Sequence, residues 1–141
     1  MDYRDFFDSR NLKHYLEDIA KFPALTEAEE RKLGEMIREG DEEALQTLIK
    51  ANLKFVVSYV KKYRGMGLGL LDLIDEGNIG LIEAAKRFDP TRNVRFISYA
   101  VWWIRQAIVH ALTLSSRIFN IPQKLSDQIS QMKKKTADER T

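Results

Sequence analysis

The sequence predicts an all-α fold, a compact helical bundle of about five to six helices. Apolar residues recur three and four positions apart in segment after segment, the period of a helix with one buried face. Helix-starting and helix-stopping residues punctuate those segments: Thr26-Glu27-Ala28-Glu29, Gly40-Asp41, Asp89-Pro90 and Asn120-Ile121-Pro122. A chain of 141 residues fits one domain and can bury a real core.

In chain order, Asn11 to Phe22 reads as the first helix, with Leu12, Tyr15, Leu16 and Ile19 on one face and Pro23 beyond its end. Thr26 and Glu29 form a capping box, in which hydroxyl and carboxylate satisfy each other's amides. It opens a helix to about Glu39 that Gly40 stops. Asp41 then caps a helix expected from about Glu42 to Tyr63, its core face carrying Leu45, Leu48, Ile49, Leu53, Val56 and Val60. Gly65-Met66-Gly67-Leu68-Gly69 breaks it. No Lys-Ser/Thr pair follows these glycines and no strand precedes them, so they read as a connector and not a phosphate loop. Leu71 to Ile82 follows as an acidic helix bearing Asp72, Asp75 and Glu76. These carboxylates have no histidine beside them, and glycines at 77 and 80 permit close approach, which suits a protein contact with a basic partner better than hydrolysis.

Asp89-Pro90 reads as a turn. From about Arg95 the pattern is helical again, with two apolar faces. Ile97, Val101, Ile104, Ile108 and Leu112 gather on one side of the wheel. Phe96, Tyr99, Trp102, Trp103 and Gln106 spread across from them, near Arg92, Arg95 and Arg105. A break is expected between Thr113 and Arg117, and a last helix from Gln123 to Lys135 before a frayed tail. His14 and His110 stand far apart and read as solvated or hydrogen-bonded histidines, too few for a metal site.

Charge separates the readings of the aromatic helix. As pure core it needs no particular electrostatic surroundings, yet no Asp or Glu occurs between Pro90 and Ser126 while Arg92, Arg95, Arg105, Arg117 and Lys124 do. A second acid-free stretch, Ala44 to Leu71, sets Lys50, Lys54, Lys61, Lys62 and Arg64 beside Asn52, Phe55, Tyr59 and Tyr63. Two basic, aromatic stretches suit single-stranded nucleic acid, with rings to stack on, cations for phosphate and an amide for base edges. A helix-turn-helix regulator would read duplex DNA, but the bulky Trp102-Trp103 pair fits a groove badly. A protein-interaction bundle would explain the acidic patch and leave both basic stretches unused. The absence of cysteine suits a reducing compartment, and no apolar run reaches the ~18 to 20 residues of a membrane span.

Four motifs carry a resemblance: Ala51-Asn52-Leu53-Lys54-Phe55-Val56-Val57, then Leu71 through Leu81, then Tyr99-Ala100-Val101-Trp102-Trp103-Ile104-Arg105-Gln106-Ala107-Ile108, and lastly Ile121-Pro122. In this order and spacing the chain, from about Asn11 to Lys135, resembles bacterial RNA polymerase sigma factors of the housekeeping, sigma-seventy type class across regions 1.2 and 2. The resemblance assigns residues 1–40 to helices like region 1.2, 41–121 to a core like region 2, and 122–141 to the start of the following helix and a tail, all in a single compact unit. It implies a transcription initiation factor of the bacterial cytoplasm, without catalysis or cofactor. Its acidic helix would dock on the clamp helices of the polymerase core's β′ subunit, through Asp72, Asp75, Glu76 and Asn78. Its aromatic helix would open the minus-ten promoter element and hold the nontemplate strand. A flipped adenine would stack on Tyr99 with Arg92, Phe96 and Gln106 around it, and Trp102 and Trp103 would form the wedge at the upstream edge. A second flipped base would lie near Asn52 and Phe55, with Arg95 and Lys54 close to phosphates and Lys61, Lys62, Arg105, His110 and Lys124 adding to the DNA surface.

The chain departs from the family pattern at several of these places. Val94 stands where an aromatic is common and Ile97 where a small hydroxyl residue is common. Val109 and His110 replace the usual Thr and Arg, Lys124 a usual His, and Asp75 a usual Gln. The chain is also expected to be a fragment, because it stops before the regions that would read the minus-35 element.

Overall fold

The computed structural model describes residues 12–119, which form six α-helices and one 3₁₀ turn with no strand among them. The helices are α1 (Leu12–Ala20), α2 (Glu27–Arg38), α3 (Glu42–Ala51), α4 (Leu53–Val60), α5 (Leu70–Arg87) and α6 (Phe96–Phe119), with the 3₁₀ turn Lys61–Tyr63 after α4. The helix foreseen from Gln123 and the tail beyond it lie outside the described residues. The all-α expectation holds.

The caps form where the sequence put them. Thr26 Oγ1 accepts from the Glu29 amide at 3.1 Å and the Glu29 carboxylate accepts from the Thr26 amide at 3.0 Å, a complete capping box. At the other end of α2, Gly40 has φ of 92°, its amide reaches Ile37 O and the Asp41 amide reaches Met36 O. That pair of bonds is a Schellman stop. Asp41 Oδ1 then accepts from the Ala44 amide at 3.0 Å and starts α3.

Helix continuity differs from expectation at two places, and α5 runs on to Arg87, beyond the stretch to Ile82 read from sequence. The helix expected from Glu42 to Tyr63 is interrupted at Asn52, whose backbone leaves helical geometry (φ −114°, ψ 5°) and whose side-chain amide donates to Leu48 O at 2.8 Å. Conversely, no break occurs between Thr113 and Arg117; α6 runs unbroken to Phe119. Thr113 and Ser115 find partners without leaving the helix. Thr113 Oγ1 bonds back to Val109 O at 2.8 Å, and Ser115 Oγ donates across to Gly67 O at 3.2 Å.

The core forms around α5, which lies between α4 and α6. A Cβ on Gly77 would meet Val56 Cγ1 at 2.8 Å, and a Cβ on Gly80 would meet the backbone carbonyl oxygen of Trp103 at 2.4 Å. Between these contacts Leu73, Ile74, Leu81, Val56, Val60, Ala100, Ile104 and Ile108 are fully buried. Tyr15 closes the bundle from α1, its hydroxyl accepting from Asn78 Nδ2 at 3.2 Å. Helix α2 packs on α3 and on the segment between α5 and α6, where Gly34 abuts Pro90 and Phe88. Among the described residues no helix is long and apolar enough to cross a membrane.

Candidate nucleic-acid and partner interfaces

The segment 88–95 turns the chain from α5 into α6. Asp89 makes the turn: its backbone oxygen accepts from the Arg92 amide at 3.3 Å, and its Oδ1 accepts from the Thr91 amide at 2.9 Å and the Thr91 hydroxyl at 2.6 Å. These bonds, with Arg38 and Arg92 nearby, hold the Asp89 carboxyl below the usual range. Arg38 Nη2 donates to the same Oδ1 at 2.7 Å, bringing a guanidinium from α2 to the rim.

Beyond this turn the aromatic residues part ways. Phe96 is wholly buried, edge-on to Phe88 at 5.2 Å, because the start of α6 tucks under α2. It is core, and the expectation that it shares an outward face with Tyr99 is corrected. Tyr99, Trp102 and Trp103 are half-buried. The Tyr99 ring stands 6.3 Å from Phe88 and 6.4 Å from Trp103, and the two indoles meet perpendicularly at 5.0 Å. Two adjoining cavities flank this cluster. One, of about 510 Å³, lies between Arg38, Asp89, Val94 and Tyr99; the other, of about 580 Å³, lies between Tyr99, Val101, Trp102 and Trp103. Arg87, Arg92, Ser98 and Tyr99 border both. Gln106 is exposed one turn further along, outside both cavities.

Arg38, Arg87 and Ser98 were not among the residues singled out from sequence. Arg87 sits 4.9 Å over the Trp103 ring while pairing with Glu83 at 3.1 Å. Its place at the end of α5, just before the turn into the aromatic helix, was the available signal. Arg95 differs from expectation in another way. It stays exposed, but its Nε donates to Glu30 Oε1 at 2.8 Å, so it is tied to α2 as well.

A second aromatic row runs along α4. Phe55 stacks on Tyr59 at 5.7 Å, Tyr59 and Tyr63 follow at 5.8 Å, and Lys62 Nζ lies 3.9 Å over the Tyr59 ring. Arg105 Nε donates to Tyr59 Oη at 2.8 Å, tying this row to α6, and the two tyrosine hydroxyls lie 3.1 Å apart. Burial pushes the Tyr63 phenol up. Lys54, Lys61 and Lys62 are exposed and Asn52 is half-buried at the helix junction. Lys124 lies outside the described residues.

The acidic residues of α5 lie off its buried face. Asp72 is exposed, Asp75 and Glu76 are half-buried, and Leu71 and Ile79 add apolar surface beside them. Partial burial, then Asp75, pushes the Glu76 carboxyl up, against the pull of His110 across on α6. Asn78 does not belong to this face. It is 1 % exposed and bonded to Tyr15, so the expectation that it meets a partner is corrected by its inward position. Both His14 and His110 are exposed.

Comparison with known proteins agrees with the layout. The family model for sigma-70 region 2 matches residues 48–118, and that for sigma-70 factor region 1.2 matches residues 11–43. The RNA polymerase sigma factor SigA of a Bacillus species is 43 % identical over 121 residues, covering 86 % of this chain and 32 % of the relative. The SigA of Lactococcus lactis subsp. cremoris is 44 % identical over 124 residues, covering 86 % and 34 %. The SigA of Clostridium acetobutylicum matches at 43 % over 121 residues. The chain thus spans about a third of the length of these curated relatives. With region 2 matched over half of this chain's residues, the chain belongs to the sigma-70 family of RNA polymerase sigma factors.

Proposed function

We propose that this chain reads and opens promoters as part of a bacterial sigma factor, capturing nontemplate-strand bases of the minus-ten element while docked on the RNA polymerase core. The observation that carries the reading is the half-exposed Tyr99 ring between two cavities that share Arg87 and Arg92 and adjoin the perpendicular Trp102–Trp103 pair. Aromatic faces accept an extruded base, guanidinium groups meet its phosphate, and the indoles abut the last intact base pair. Gln106 serves a base edge one turn on. The α4 row, with Asn52, Lys54, Phe55, Lys61 and Lys62, takes a second base and further backbone.

The magnitudes are consistent. Extruding a base costs a few kcal/mol, and stacking on an aromatic ring returns ~1 to 3 kcal/mol. Two captured bases with phosphate contacts therefore balance the opening of a short AT-rich duplex without nucleotide hydrolysis. The acidic face, with Asp72, Asp75 and Glu76 beside Leu71 and Ile79, suits the basic, partly apolar surface of a coiled coil, and the clamp helices of β′ are the partner this reading assigns to it. Work with the polymerase places the protein in the cytoplasm, as an initiation factor with no catalytic role of its own.

The test compares binding of a minus-ten nontemplate oligonucleotide, single-stranded and as duplex, to the 141-residue chain alone and with polymerase core. Single-strand preference is expected. Tyr99→Ala should weaken single-strand binding about five- to a hundredfold, the equivalent of one lost stack. Lys61→Ala with Lys62→Ala should weaken it for every sequence and flatten the salt dependence by ~0.7 in log–log slope per lost phosphate contact. Equal or tighter duplex binding in the presence of core, or indifference to Tyr99→Ala, would refute the reading.

A further inference from the structure

We infer that Glu30, on α2, is a positioning residue for base capture: its carboxylate caps the first turn of α6 from outside that helix and anchors Arg95, fixing how Tyr99 is presented. The inference rests on the function proposed above. Helix α6 starts at Phe96, and the residue before it, Arg95, offers no acceptor to the free amides of the first turn. Glu30 supplies one. Its Oε1 accepts from the Phe96 amide at 3.2 Å and from Arg95 Nε at 2.8 Å, and its Oε2 accepts from Arg95 Nη2 at 3.2 Å. Arg95 Nη2 also donates to Leu25 O at 3.0 Å, ahead of α2.

Glu30 is only 4 % exposed. A carboxylate withdrawn from water needs compensating partners, and all three of the bonds above run to the start of α6. Negative charge at this end of the helix also meets the positive end of its dipole. Tyr99 follows Phe96 by three residues, within the turn that Glu30 holds. The same side of α2 braces the cavity wall at two further points, Arg38 on Asp89 and Gly34 against Pro90. Arg95 is therefore part of a brace.

The experiment uses the 141-residue chain with polymerase core, and two oligonucleotides that carry adenine or an abasic site at the captured position. Glu30→Ala should cut the preference for adenine about three- to tenfold, the equivalent of a lost cap, while binding of the abasic strand stays near wild type. Glu30→Gln keeps an acceptor for the Phe96 amide, so it should retain most of the preference; it also carries the test if the alanine variant does not fold. Arg95→Ala should leave the salt slope unchanged, in contrast to Lys61→Ala with Lys62→Ala. Without DNA, amide exchange at Phe96 and along the next turn should speed up in Glu30→Ala.

Equal loss for both strands, unaltered Phe96 exchange, or a slope lowered by Arg95→Ala would each overturn the inference. A wild-type chain that fails to distinguish the two strands refutes the promoter-opening function and, with it, the part Glu30 plays there. The exchange measurement still decides the cap by itself.

Discussion

Gly80→Ala tests the packing that places the aromatic helix. A Cβ at Gly80 would stand 2.4 Å from Trp103 O, 2.7 Å from Trp103 C and 2.7 Å from Ile104 Cα, all atoms of the α6 backbone. Nothing there can swing aside on a side-chain torsion. Ordinary contact starts at 3.4 Å, so α5 and α6 must part by about 1 Å over this turn. Forced overpacking costs about 1 to 3 kcal/mol, and a backbone obstacle belongs at the upper end. Alanine returns up to ~1 kcal/mol through helix propensity, leaving a net loss of about 2 kcal/mol. Gly77→Ala is the internal control. Its neighbours are Val56 Cγ1 at 2.8 Å and Val60 Cγ1 at 3.1 Å, side-chain methyls that can give way, so about 1 kcal/mol or less is expected. Urea unfolding followed by circular dichroism measures both, with an unchanged m-value showing that stability alone has moved. A Gly80→Ala midpoint within about 0.5 kcal/mol of wild type, or a larger loss from Gly77→Ala, would refute the account of α5 as a spacer set by glycine.

Two other outcomes follow from charge and burial. Burial and Asp75 raise the Glu76 carboxyl, so its contribution to stability is present below the unfolded value and lost as pH rises through the folded one. At neutral pH the charged form therefore opposes folding, and Glu76→Gln should unfold at higher urea than wild type, by a margin that closes in acid, while binding polymerase core more weakly in a pull-down titration. For Tyr15, burial first of all pushes the phenol up from 10.0 to about 12. Its share of stability is complete below pH 10 and lost as pH rises through about 12, so unfolding and tyrosinate absorbance should rise together there. Tyr15→Phe should cost stability at neutral pH, because Asn78 Nδ2 loses its acceptor, and the gap to wild type should narrow at the alkaline end.

Local signals were legible in the sequence wherever one short segment decides the outcome. The Thr26–Glu29 box, the Gly40 stop, the Asp41 cap and the Asp89 turn all depend on neighbours within a few residues. The helix junction at Asn52 was not legible, since Leu48, Ile49, Leu53 and Val56 keep helical phase straight across it. The continuation of α6 through Thr113 and Ser115 depends on bonds to Val109 O and to Gly67 O, the second of them 48 residues away. Periodicity placed Tyr99 and the tryptophans on an accessible face, yet Phe96 and Asn78 are enclosed by α2 and α1. A wheel drawn on one helix cannot know which neighbour arrives. The carboxylate that engages Arg95 lies 65 residues earlier in the chain, a separation at which composition carries no pairing information.

At 24 residues, α6 spans about 36 Å. Tyr99 and the indoles belong to its opening turns, Arg105 and Gln106 to its middle, and His110 to the part beyond. All are mounted on one continuous helix, so they cannot adjust separately to a ligand on this surface. A tilt set at the Phe96 end sweeps the opposite end through the larger arc, so a strand bound as proposed would have to follow the protein's spacing.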